Sequence, residues 1–175
     1  MTSTEAVHLS GRERMLGQNE IIVSKTNLKG HLTYANDIFC EIADYTNNDV
    51  FGKPHNIVRN PKMPRCVFKL LWDYISAGKE IFAYVVNRGK LGDHYWVLAH
   101  VTPSFDESGS MIGYHSNRRS PSRKAIQTME GLYDQLLTEE RKHGDRREGM
   151  MESYKLLQKI LDEKGVSYDE FILSL

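Results

Sequence analysis

Asn87 and Tyr95 flank the turn in NRGKLGDHYWVLAHVTP (Asn87–Pro103), an amide and a phenol that can stand on one side of a hairpin. If Asn87 faces inward at period two, so do Ile81, Ala83 and Val85; if Tyr95 does, Val97, Ala99 and Val101 follow. A face of Ala and Val with two hydrogen-bonding groups at one end leaves room for a planar guest. It equally receives a large side chain from a covering helix, and on this stretch alone the packing reading takes precedence. His55 and His115 are isolated, and a lone histidine is more often a hydrogen-bonded structural group than an axial haem ligand. His94 and His100 lie too far apart along one strand to chelate a metal unaided, so no metal site is expected. No nucleophile elbow, phosphate loop, kinase signature or zinc-protease motif is present, so an enzyme is not expected.

The elements that must hold these groups follow from patterning. At 175 residues the chain fits one domain with an appendage. Lys plus Arg and Asp plus Glu are 23 each, so there is no global field for nucleic acid or an anionic membrane. Cys40 and Cys66 sit in apolar helical surroundings, where thiols act as small hydrophobes and point to a reducing compartment. MTSTEAVHLSGRERM lacks an apolar signal core and no later run is long enough to span a bilayer, which predicts a cytoplasmic protein.

Residues 1–19 read as a flexible arm with at most a short helix around Arg12–Leu16. Glu20–Thr26 and His31–Ala35 read as a hairpin joined by NLKG, and Asn36 as the cap of a helix ending near Tyr45–Asn48. Gly52, Pro54, Pro61 and Pro64 break Phe51–Pro64 into short turns. Cys66, Val67, Leu70, Leu71, Tyr74 and Ile75 make a long helix with Trp72 at the edge of its stripe and Gly78 as stop. The Asn87 hairpin and Met111–Asn117 complete five strands, so residues 20–120 read as an α+β domain.

Beyond Pro121, residues 121–175 read as a helical extension. Ala125, Met129, Leu132 and Leu136, then Met150, Tyr154, Leu157 and Leu161, repeat at helical spacing. RKHGDRRE between them, beside Gly149, reads as a solvated hinge, and Ser167 with Glu170 as a capping box for a hydrophobic tail. Apolar stripes of this kind are buried in a homodimer, against a partner helix, or by folding back over Trp96 and Leu98.

Five antiparallel strands with helices inserted between the second and third are the element order of the PAS fold. ANDIF (Ala35–Phe39), GKPHNIVRNPKMP (Gly52–Pro64), Leu71–Trp72, NRGKLGDHYWVLA (Asn87–Ala99) and IGYHSNR (Ile112–Arg118) together resemble the PAS domain of bacterial aerotaxis receptors. The resemblance implies a sensor holding FAD non-covalently between the sheet and the short helices, its redox state reporting on electron transport. Carried over by position, it implies Asn36, Arg59, Trp72 and Asn87 as flavin contacts. Arg59 offers a fork for phosphate oxygens, Trp72 a stacking plane, and Asn87 an amide that donates and accepts. Where the receptor pattern reads RHPDMP this chain reads RNPKMP, so Asn60 and Lys62 replace a histidine and an acid in the cofactor-holding segment.

More distantly the chain is similar to flavin-binding light sensors of the same fold, whose last strand carries a ring-contacting Gln; His115 falls at that position. The reactive cysteine of those sensors is absent from Ile57–Pro61, IVRNP, so adduct photochemistry is not expected. Haem on His55 or His115 is the alternative cofactor. The implied partner is a membrane-bound methyl-accepting receptor or another signalling protein, and the alternative is a cofactor-free interaction module.

Overall fold

The computed structural model describes residues 8–175. Residues 1–7 of the expected arm lie outside the described residues. Five strands form one antiparallel sheet: β1 (Ile22–Asn27), β2 (Leu32–Ala35), β3 (Ile81–Arg88), β4 (His94–Phe105) and β5 (Met111–Arg119), in the order β2-β1-β5-β4-β3. Between β2 and β3 come α1 (Asp37–Ala43), α2 (Asn47–Val50), a 3-10 turn at His55–Val58, and α3 (Arg65–Ser76). Thr46 does not simply break α1: with Asp49 it makes the capping box that starts α2.

Strand alternation decides what reaches the site. Asn87 pairs with Tyr95, Val85 with Val97 and Ala83 with Ala99, so these side chains share the inner face as the period-two pattern predicts. In β5, Ser116 lies opposite Ser24 and Val101, which puts Tyr114, Ser116 and Arg118 on that inner face.

Instead of a helix at Arg12–Leu16, the arm runs extended beside β4. Pairing with β5 reaches only to Leu98, leaving His94–Val97 free on that side. The arm fills this gap: Arg14 N–H donates to the His94 carbonyl at 2.7 Å and His94 N–H to the Arg12 carbonyl at 2.9 Å. Buried Asp93 accepts from Ser10 Oγ at 2.6 Å and Arg12 Nε at 2.8 Å, which hold its carboxyl below the usual range.

Three helices follow the sheet: α4 (Arg123–Arg141), α5 (Arg146–Lys164) and α6 (Tyr168–Leu173), the last with the expected Ser167–Glu170 capping box. They fold back on the domain. Tyr133 of α4 stacks on Trp96 with ring centroids 6.0 Å apart, and its hydroxyl donates to the Tyr84 carbonyl of edge strand β3. RKHGDRRE is the exposed turn between α4 and α5, and Gly149 beyond it is the point where α5 crosses α4: a Cβ there would lie 2.5 Å from the Glu140 carbonyl oxygen.

Glu140 ties this extension to α3. Pro64, at the cap of α3, has no side chain to accept the first N–H groups. The Glu140 carboxylate, buried in α4, takes that place, accepting from Arg65 N–H at 2.6 Å, Cys66 N–H at 3.2 Å and Arg65 Nε at 2.9 Å. Glu140→Ala is therefore expected to cost about 2–3 kcal/mol. Glu140→Gln, which keeps an acceptor, should cost less. Urea unfolding midpoints of the two variants check this, and equal midpoints for Glu140→Ala and the wild type would contradict it.

Candidate ligand cavity between the sheet and helix α3

A cavity of about 290 Å³ lies between the inner sheet face, the 3-10 turn and α3. Val85, Ala99 and Val101 form its floor, and Phe68, Leu71, Trp72 and Ile75 of α3 its wall. The small residues at the floor and the α3 stripe were the two features visible in the pattern. They do not close on each other at Val85, Asn87, Ala99 and Val101, which corrects the packing reading there, while Ile81, Ala83, Tyr95 and Val97 of the same face are packed in the core.

At the inner end stands Arg118, a residue the sequence reading did not single out. Its Nη2 donates to Ser24 Oγ at 2.9 Å and to His55 Nε2 at 2.7 Å, and its guanidinium lies 5.8 Å from the Phe39 ring centroid. A guanidinium only donates, so His55 Nε2 accepts and the ring is neutral with its proton on Nδ1. Burial first, and then the Arg118 charge, push the His55 pKa down to about 3. His55 as a whole residue is half-buried and lines the cavity. Arg118 is itself lowered to about 10 by burial and so remains a cation at neutral pH. Its Nη1, and Ser116 Oγ beside it on β5, are buried with no hydrogen-bond partner.

Arg59 lies along the wall, its guanidinium 4.4 Å from the Phe68 ring centroid, with its pKa lowered chiefly by burial. Trp72 is at the rim, 40 % exposed, edge-on to Tyr114 at 5.5 Å. Gly30, at φ 76°, turns the chain beneath it where a Cβ would come within 3.2 Å of the indole. Lys29, Arg59 and Arg118 line the cavity, and no Asp or Glu does among the described residues.

Of the residues expected at a site, the structure brings Arg59, Trp72, Asn87 and His115 to the cavity. Asn36 is elsewhere. Its Oδ1 accepts from Val23 and Phe39 N–H at 3.0 and 3.1 Å and its Nδ2 donates to the Ile21 carbonyl, so it joins β1 to α1. Asn60 stands behind the wall, donating to the Asn87 carbonyl at 3.3 Å and accepting from Lys62 N–H at 2.9 Å, which fixes the strand end that carries Asn87. Tyr95 is buried on the inner face opposite Asn87 but does not line the cavity, and burial raises its phenol. His115 borders the cavity, but it pairs with Lys25 and Thr102 one residue out of step with Ser116, so its ring turns to the outer face. Among the described residues no group of three or more His, Cys, Asp or Glu is placed to hold a metal ion.

No helix of the described residues is long and apolar enough to cross a membrane. Residues 32–117 match the family model described as the PAS fold. The chain is 38 % identical over 121 residues, 69 % of its length, to the aerotaxis receptor of Escherichia coli strain K12. It is 22 % identical over 62 % of its length to a nitrogen fixation regulatory protein of Klebsiella pneumoniae. It spans about a quarter of the length of these two relatives, 24 % and 22 %. Among solved structures, the light state of the blue-light photoreceptor Aureochrome1 LOV covers 63 % of this chain and 88 % of its own at TM-score 0.56 and 16 % identity, a likeness of fold. Strand order, inserted helices and these matches agree, and the chain belongs to the PAS family with a domain of the aerotaxis-receptor type.

Proposed function

We propose that this chain is a PAS sensor that binds FAD non-covalently and reports redox or energy state to a separate signalling protein, such as a membrane-bound methyl-accepting receptor. The observation that carries the reading is a cavity walled by apolar side chains, lined by three cations and no carboxylate among the described residues, with unpartnered donors at its inner end. That chemistry suits a flavin, whose ring is planar and apolar in its body, rich in acceptors along one edge, and joined to phosphates. A volume of about 290 Å³ is near the lower limit for small-molecule pockets, so it suits the ring system rather than a whole dinucleotide. Arg59 and Lys29 would hold phosphates outside it, Asn87 and Arg118 the ring edge, and Trp72 the rim. When bound, the flavin supplies reversible electron uptake. The chain's own part is to bind and orient it and, through α3 capped by Glu140, to pass a change in the wall to α4 and α5.

The apolar stripes of the helical extension were expected to be covered by a second copy, by a partner helix or by folding back over Trp96 and Leu98. Met129 and Leu136 of α4 and Leu157 of α5 are buried within the chain itself, so the stripes need no second chain and the partner reading rests on the likeness to signalling proteins.

Titration of the ligand-free protein with FAD and with riboflavin, followed by flavin fluorescence, tests the reading. Arg59→Ala should weaken FAD by about tenfold or more, the scale of one charge-assisted contact, while riboflavin binding changes little. Asn87→Asp should make the bound flavin harder to reduce by setting negative charge beside the ring. A wild type that binds neither flavin would overturn the proposal.

A further inference from the structure

Arg118 is a buried cation, 5 % exposed, without a carboxylate. Its recorded partners are a serine hydroxyl and a neutral imidazole, both through Nη2. Buried charges are ordinarily paired, because neutral dipoles recover only part of the lost hydration. Nη1 and Ser116 Oγ are buried and lack hydrogen-bond partners, and Arg118 and Ser116 are both among the residues that line the cavity. An arginine kept without a counter-ion, beside a cavity with no acidic lining residue, is placed for an anion that arrives with the ligand.

We propose that the inner end of the cavity, at Arg118 and Ser116, is a subsite for an anionic or doubly accepting oxygen edge of a planar aromatic ligand, and that Arg118 is the residue that selects it. Ser24 and His55 act as positioning residues. Both occupy Nη2, which leaves Nη1 as the unpaired donor, and Ser116 adds a second from the adjacent inward position of β5. The face of Phe39 holds the guanidinium from behind. Neutral His55 is part of the device, since a protonated ring would repel Arg118. The inference deepens the reading of the same cavity and rests on its being a ligand site, but not on the ligand being a flavin.

The test uses the full chain and two probes of matched shape, 2-naphthoate and 2-naphthamide, with affinities from calorimetric titration at neutral pH. The wild type is expected to bind the carboxylate tighter than the amide by about tenfold or more. Arg118→Met should lose that preference while binding the amide about as before. Replacing a buried charge by an apolar side chain of similar length is often tolerated by the fold. Arg118→Lys should keep part of the preference, and Ser116→Ala should lose a smaller part. Equal affinity for the two probes in the wild type, a preference for the amide, or no carboxylate binding at all overturns the subsite. FAD added to the same wild-type sample separates the two readings. FAD refused while the carboxylate preference holds sinks the flavin reading alone, and FAD bound without that preference sinks the subsite alone.

Discussion

A chain ended after Ser120 is expected to aggregate or to populate only a loosely packed state, while the full chain stays folded. The truncation removes the ring that stacks on Trp96, the hydroxyl that satisfies the Tyr84 carbonyl on edge strand β3, and the carboxylate that caps α3. Exposing one large buried aromatic costs about 1.5–3 kcal/mol, an uncapped buried helix start about as much, and a bare edge strand invites pairing with other chains. Together these approach the lower end of a domain's whole stability, about 5 kcal/mol. Light scattering and the near-ultraviolet dichroism of the two chains read the result. A soluble truncated domain with native dichroism and undiminished flavin binding would instead make α4–α6 a detachable output element.

The second large effect is acid sensitivity from His55. Its folded pKa is about 3, whereas an unfolded histidine titrates near 6.5. Between those values the unfolded chain binds one more proton than the folded one. Stability therefore rises with pH through this window, is complete above it, and is lost as pH falls. The slope from this one group reaches about 1.4 kcal/mol per pH unit. His115, lowered mainly by burial, acts in the same direction, and Asp169, raised by burial, in the opposite one. Both remain in His55→Gln, so the difference between the two chains isolates His55. Urea unfolding between about pH 6 and 4.5 should give the variant a visibly shallower slope than the wild type. Parallel slopes would mean that His55 already titrates normally in the fold.

Much of this architecture could be read from periodicity. The inward set Asn87, Val85, Ala83 and its partners on β4 follow from period two, and the stripes of α3, α4 and α5 from period 3.6. Asn36 as helix cap and Ser167–Glu170 as capping box were local signals, and local hydrogen bonds obey them.

What was not legible depended on register or on distance along the chain. His115, placed by likeness of motif, borders the cavity but stands one residue out of step with the inward set of β5, and a shift of one residue turns a strand side chain to the other face. The same parity, counted from Ser116, would have pointed to Arg118. Nothing local announces that a glutamate 75 residues away caps α3, or that Gly149 is small because α4 passes over it. The arm's extended course answers to a gap left by β5, which only the assembled sheet reveals.

The central claim is that this cavity holds a flavin, and the most direct measurement is of what the purified full-length chain carries. Protein prepared without added cofactor, washed, denatured and chromatographed against FAD, FMN and haem standards should release FAD in a ratio approaching one per chain. Its visible spectrum before denaturation should be that of an oxidised flavin. A colourless preparation that releases none of the three, and takes up no FAD when it is supplied, would contradict the account.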